Sequence, residues 1–346
     1  MNYASPLPNP SIAPPPASLD GSRAARRRRF AWIGTAASVL LFAVSLVVLW
    51  TIASEVDAAE LRSAFTNATW RQIGLGVIFT AASYLLLTGY DALALWQLKL
   101  PVPYRTTALA SFASYAVSFT LGFPLVTAGT VRYWIYAPKG LSTGKVASLT
   151  VIAGLTFWLG LSAVLGWSLI AESGEVARLT YVTLKVAQGA GVAAVGIVLF
   201  YLAWVSFRRR AVTIQGWRLE LPGFRVSLGQ MLIGAGDVCA GAAVLFVLLP
   251  EGAIRYETFL AVYVVAVMLG IASHAPGGLG VFEATVLIAL SHVPREPVLG
   301  ALLLFRIVYY LCPFVLALAL LGAYEISGRL RATRRAMQPE KGEAAS

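Results

Sequence analysis

Apolar residues run in long blocks rather than in the alternating or helical periods of a soluble chain. Blocks at 31–53, 72–97, 146–171, 181–206, 228–249 and 298–323 each hold the ~20 residues that a membrane-spanning helix needs. Two further apolar stretches, 107–137 and 258–292, are interrupted in their middles, the first at "LGFPLVTAG" (121–129) and the second at "SHAPGGLG" (273–280). Proline and glycine break helices, and the arms on either side are short against a ~20-residue crossing, as in a re-entrant hairpin. The pattern predicts an all-α polytopic membrane protein with six spanning helices and two re-entrant broken hairpins. Composition agrees: 58% of the 346 residues are hydrophobic, 12% are charged and the mean hydropathy is +0.74. A soluble domain cannot hide that much apolar surface.

The positive charge has a sidedness. If both broken stretches enter and leave on one side and the N-terminus is inside, the inner segments (1–30, 98–106, 138–145, 207–227 and 324–346) hold 19 Lys and Arg. The outer ones hold five: Arg62, Arg71, Arg178, Arg255 and Arg295. Basic residues collect in cytoplasmic loops, so the hairpin topology with both termini cytoplasmic is expected. The net charge of +11 is then a matter of topology and gives no reason to expect nucleic acid. "RAARRRRF" before the block at 31–53 has the look of a signal peptide. The block is longer than such a segment's apolar core and is read as a retained helix. Residues 1–30 form a Pro-rich, Arg-rich tail expected to be disordered, 31–325 the transmembrane domain, and 326–346 a second basic tail. Two cysteines and two histidines make no metal cluster, and no metal or cofactor is expected.

The chain aligns with itself at a shift of 151 residues. Gly129 falls on Gly280, Arg132 on Glu283, Lys145 on Glu296 and Phe157–Trp158 on Val308–Tyr309; upstream, at a slightly different offset, "LLTGYDALAL" resembles "LIGAGDVCAGA", with Asp91 and Asp237 as counterparts. The units, about 72–171 and 228–323, each read span, broken hairpin, span. They begin on opposite sides by the charge count, which makes an inverted repeat. Such repeats around broken helices are a transporter architecture with the substrate between the repeats.

Seven ionisable residues lie within the apolar regions: Asp91, Arg132, Lys185, Asp237, His274, Glu283 and Arg306. A charge at mid-bilayer costs roughly 2.5–3.5 kcal/mol even on a lenient insertion scale, so these are paired or line a wet cavity. Lys185 sits near a helix end and can snorkel. Asp91 sits near the inner end of its span, where water can hydrate it. Asp237 lies among Gly234, Gly236 and Gly241, where a second helix can approach closely. Arg132, Glu283 and Arg306 are the leading substrate candidates, and a structural Arg–Glu pair locking the hairpins is the competing reading. At the second break Pro276 ends one half-helix, and Gly277, Gly278 and Gly280 let the backbone turn. Pro124 and Gly129 are the corresponding turn residues of the first. The half-helix that begins near Leu279 presents free N–H groups and a positive dipole end, a site for an anion such as phosphate. Glu283, in its first turn, stabilises the helix start and can also meet an ammonium group.

"SHAPGGLGVFE", "GTVRYWIYAPKGLS" and "LFRIVYYLCPF", in order and with "TGYDALALW", resemble the transmembrane flippase-like region of the bacterial lysylphosphatidylglycerol synthase/flippase family, in its stand-alone form. The resemblance covers residues 31 to 325. It implies an inner-membrane protein that moves aminoacylated phosphatidylglycerol between leaflets, reduces envelope charge and protects against cationic peptides. It also implies functional roles for Arg132, Glu283, Arg306 and the Pro276–Gly280 turn. The bifunctional members continue into a tRNA-dependent transferase, where this chain has a basic tail, so lysyl transfer is not assigned to it. A membrane phospholipid is the expected partner, with a separate aminoacyl-lipid synthase and a homo-oligomer left open. The alternatives are a translocator of a polyprenyl- or hopanoid-type lipid, a membrane transferase using His274 and Glu283, and an assembly partner of a synthase. No Walker-type phosphate loop occurs, which argues against ATP hydrolysis by this chain.

Overall fold

The computed structural model describes residues 68–122, 124–179, 183–207, 211–214, 217–220, 222–273 and 275–336. The expected first span at 31–53 and most of both tails lie outside them, as does His274.

Two sets of helices with the same internal order make up the described chain. In the first, α1 (Trp70–Gln97) is followed by α2 (Tyr104–Leu121), α3 (Pro124–Tyr136) and α4 (Thr143–Ala171). A short α5 (Ser173–Leu179) and a long α6 (Leu184–Phe207) lead to a β-hairpin, β1 (Ala211–Ile214) and β2 (Trp217–Glu220). The second set is α7 (Phe224–Leu248), α8 (Tyr256–Ala272), α9 (Val281–Ala289) and a last long element. That element runs as α10 (Arg295–Phe305), a π-helical turn (Arg306–Leu311) and α11 (Cys312–Ala336). Among the described residues five helices are long and apolar enough to cross a membrane, at 70–97, 143–171, 184–206, 224–248 and 295–327. They match five of the six expected spans. The molecule is a multi-pass α-helical membrane protein.

Both interrupted stretches are helical pairs. α2 packs on α3 and α8 on α9. At 1.5 Å per residue the 13 residues of α3 and the nine of α9 rise only ~20 and ~14 Å, short of the ~30 Å hydrocarbon thickness. The first break is tighter than the 121–129 expected. Gly122, at φ 79°, ends α2, and Pro124 opens α3 directly, a position where a missing N–H costs nothing. Gly129 therefore lies inside α3, not in the turn. The second break needs its glycines: Gly277, Gly278 and Gly280 have φ of 58°, 67° and 81°, values that side chains with a Cβ adopt only at a cost. The segment 207–227, read as a plain loop, contains the antiparallel β1–β2 pair with Ala211 opposite Glu220 and Ile214 opposite Trp217.

Small residues set the helix crossings. α7 lies against α1 and α4, and at Gly160 of α4 and Gly234 of α7 a Cβ on either glycine would run into the other helix's backbone. Close approach through small residues is the common mode of packing in lipid, where apolar surface alone gives no preference for protein over acyl chains. A chain of stacked rings joins the hairpins. Phe282 of α9 stacks on Phe305 (5.6 Å, 16°), Phe305 on Tyr309 (5.2 Å, 9°), and Tyr309 on Phe119 of α2 (6.2 Å, 20°). Exposed Val192, Ile197, Leu199 and Phe200 of α6 and Val315 and Leu316 of α11 form an apolar coat suited to lipid.

Candidate functional site

The two broken hairpins and the long helices enclose a cavity of about 520 Å³. Its walls are mostly apolar and aromatic. The polar side chains on it include Arg132 of α3, Asp237 of α7, and the hydroxyls of Tyr115, Ser118 and Tyr309. Both breaks reach it, through Gly122 from the first and Gly277 and Gly278 from the second.

Among the described residues, Lys185 is exposed on α6, and the other intramembrane charges sort into two pairs and one carboxylate without a cation. In the first pair Arg132 grips Asp91 as a fork: Nη2 donates to Oδ1 at 2.7 Å, and Nε donates to Oδ2 at 3.0 Å and to Oδ1 at 3.2 Å. Tyr136 adds a hydroxyl donor to Asp91 Oδ2 at 3.2 Å, and the Arg132 guanidinium lies 4.9 Å from the Tyr115 ring centre. Both charged side chains are 1% exposed or less. Asp91 is thus sealed in protein rather than hydrated at a helix end, because Arg132 reaches it from α3, 41 residues away in sequence. Planar bidentate pairing of this sort is the strong form of the contact.

The second pair belongs to the second hairpin. Arg306, at the start of the π-helical turn, donates through Nε to Glu283 Oε1 at 2.7 Å and through Nη1 to the Gly277 carbonyl at 2.6 Å. Its Nη2 lies 2.6 Å from the same Glu283 oxygen, and its guanidinium sits over the rings of Tyr310 and Phe282. The other Glu283 oxygen accepts the Gly280 N–H at 2.8 Å. Glu283 therefore both caps the half-helix it starts and anchors the arginine. The helix start read from sequence as an anion site already holds this carboxylate. The π-helical turn was not expected from the sequence; such turns recur at functional sites, and this one carries both Arg306 and Tyr309.

Asp237 differs. It lies near the centre of the 25-residue α7, is 3% exposed and borders the cavity. It accepts hydrogen bonds from Ser83 at 2.5 Å and Tyr90 at 2.9 Å, both on α1, and the Ser83 hydroxyl also lies 2.9 Å from the Tyr309 hydroxyl. Among the described residues it forms no ion pair. Burying a charge is costly unless it is both paired and hydrogen-bonded, and here only the hydrogen bonds are supplied from within. Its counterpart in the repeat alignment, Asp91, has its arginine.

Of the residues expected to form the site, Arg132, Asp237, Gly277 and Gly278 thus border the cavity. Asp91, Glu283 and Arg306 stand behind it as partners or anchors. Sequence reasoning passed over Tyr90, Tyr115, Tyr136, Ser83 and Tyr309. The available signal was their position: Tyr90 precedes Asp91, Tyr136 follows Arg132 by one helical turn, and Tyr309 follows Arg306 by three residues.

Fold and site together define a polytopic α-helical membrane protein with a polar-based cavity between two broken helical hairpins. Residues 36–317 match the family described as the lysylphosphatidylglycerol synthase TM region, and the chain belongs to that family. It is 32% identical over 255 residues to an uncharacterized protein of Synechocystis sp., covering 73% of this chain and 79% of that one. It is 30% identical over 282 residues to the inner membrane protein YbhN of Escherichia coli, covering 81% and 88%. Similarity to the phosphatidylglycerol lysyltransferase of Staphylococcus haemolyticus is 25% over 299 residues, which is 85% of this chain and 34% of the lysyltransferase.

Proposed function

We propose that the protein is a flippase-like translocator of the bacterial inner membrane. It moves an aminoacylated phosphatidylglycerol, or a related phospholipid whose headgroup carries an ammonium group, between leaflets. Its termini are cytoplasmic, and by exporting positive charge to the outer leaflet it contributes to resistance against cationic peptides. The observation that carries this reading is Asp237, a buried carboxylate on the cavity wall with hydroxyl donors and no cation among the described residues. An ammonium group entering the cavity supplies the missing charge. Arg132 on the same cavity is already matched by Asp91, so it offers a lipid phosphate a polarised surface without an uncompensated charge. The volume of about 520 Å³ falls in the ~300–1,000 Å³ range of small-ligand sites, which is right for a headgroup and leaves the acyl chains outside.

Binding separates this reading from its rivals. In the purified protein, lysyl-phosphatidylglycerol should be retained over phosphatidylglycerol by native mass spectrometry, and Asp237→Asn should remove the preference. One charge-assisted hydrogen bond is worth ~1.5–3 kcal/mol, so the loss should be roughly tenfold to a hundredfold in affinity. Equal retention of both lipids by the wild type would end the proposal.

A further inference from the structure

The cavity is not closed on all sides. Several side chains that line it are also exposed on the apolar surface of the molecule: Leu125 and Val126 in the first turn of α3 (each 67% exposed), Trp158 of α4 (44%) and Ile271 at the end of α8 (37%). One turn before Trp158, Gly154 also lines the cavity, and a Cβ built on it meets no atom within 4 Å. Most glycines at helix crossings here face another element. Gly160, two turns from Gly154 on the same helix, abuts Gly234. Gly154 instead leaves a notch beside an exposed indole. Val267, half-buried on α8, faces the same space from the other side.

We infer that this gap between the start of α3, the middle of α4 and the end of α8 is a lateral slot that seats an acyl chain of a membrane phospholipid. The inference rests on the headgroup reading above and extends it by fixing where the rest of the lipid lies. Three features of the gap point to an acyl chain. Its rim is apolar, with Leu125, Val126, Trp158 and Ile271 and no charged side chain. It is continuous with the cavity that holds Asp237 and Arg132. The cavity is too small for a headgroup and two acyl chains together, so a lipid bound there must extend through an opening. Hydrocarbon in the slot replaces bilayer with protein at little cost, while a headgroup drawn through the same gap exchanges water for Asp237 and Arg132. Trp158 sits where an amphipathic ring can pack its face on the chain. Gly154 keeps the passage wide enough for it.

The test uses the full chain in nanodiscs made with phosphatidylglycerol that carries a diazirine at mid-acyl chain. After illumination, peptides are mapped by mass spectrometry. Labelling at Gly154, Phe157, Trp158 and Val267 should exceed labelling at Val192 and Ile197, ordinary lipid-facing positions of α6, by several-fold. Gly154→Leu, whose Cβ meets no atom within 4 Å and whose isobutyl group then occupies the notch, should bring it down to the α6 level while α6 labelling stays constant. A second arm places a photoreactive benzoylphenylalanine at Val126 and asks what it captures. Lipid supports the slot. Capture of residues 31–53, or of a second copy of this chain, would show that protein covers the gap and would overturn the inference. So would labelling no higher than at α6, or labelling that Gly154→Leu leaves unchanged. The readout is independent of translocation: slot labelling without lysyl-lipid preference condemns the headgroup reading alone, and lipid preference without slot labelling condemns the slot alone.

Discussion

The Arg132–Asp91 pair should be the largest single polar contribution to the stability of the first hairpin. Removing one partner of a buried ion pair typically costs 3–5 kcal/mol, because the survivor is left charged and unpaired. Here Asp91 would keep only the Tyr136 hydroxyl at 3.2 Å, and Arg132 only the face of Tyr115. In a chain of this size each kcal/mol moves the midpoint by about 1.4 °C, so Arg132→Met and Asp91→Asn should each lower the unfolding temperature in detergent by at least ~4 °C. The double variant places two neutral, similarly sized side chains where Arg132 now meets Asp91. It should melt above either single variant, because no orphaned charge remains. Circular dichroism at 222 nm, with the melt followed at a fixed scan rate for all four proteins, provides the cycle. Single variants within a degree or two of wild type, or a double variant that loses the sum of both, would refute the view that the two buried charges compensate each other.

Other consequences follow from the same geometry. Gly160→Ala and Gly234→Ala should each destabilise by about 1–3 kcal/mol through overpacking against the facing backbone, while Gly154→Ala, mid-helix and in open space, should hold or slightly raise the melting temperature; parallel thermal scans decide it. Arg306→Lys keeps the charge but cannot reach Glu283 and the Gly277 carbonyl together as the fork does at 2.7 and 2.6 Å. It should cost about 1–3 kcal/mol and increase hydrogen exchange at 275–283, and unaltered exchange there would argue against the anchor. At Gly277 (φ 58°) a Cβ would also stand 3.2 Å from the Phe119 carbonyl oxygen, so Gly277→Ala should lose ~1–2 kcal/mol. Gly252→Ala, also at positive φ but in open space, should lose only the conformational part.

Much of the architecture is legible in the sequence because lipid imposes simple demands. A span needs a long apolar block, and a break needs proline or glycine, so the five described spans and both hairpins could be placed from composition alone. The charges could be found for the same reason, since each is anomalous in its block. Their partners could not. Whether Arg132 meets Asp91, 41 residues away, or Glu283, its match in the repeat, depends on how the first hairpin packs against the long helices, and no local pattern encodes that. The half-helix near Leu279 offers its N–H groups to an anion, and the stabilising role expected of Glu283 goes as far as taking that place itself, by accepting the Gly280 N–H. The turn through Gly129 was misplaced because proline serves both to break a helix and to start one. The Gly160–Gly234 contact is invisible among the chain's 31 glycines until the two helices are brought together.

The account stands on Asp237 as the point where a cationic headgroup meets the cavity, and transbilayer movement tests that most directly. Wild-type protein and Asp237→Asn would be reconstituted in liposomes with fluorescent lysyl-phosphatidylglycerol, and loss of signal to an external quencher followed against protein-free vesicles. The account predicts movement by the wild type that falls at least about tenfold in Asp237→Asn, the loss of one charge-assisted contact, with the variant's melting temperature close to wild type. Movement that survives the substitution, or none by folded wild-type protein, would contradict it.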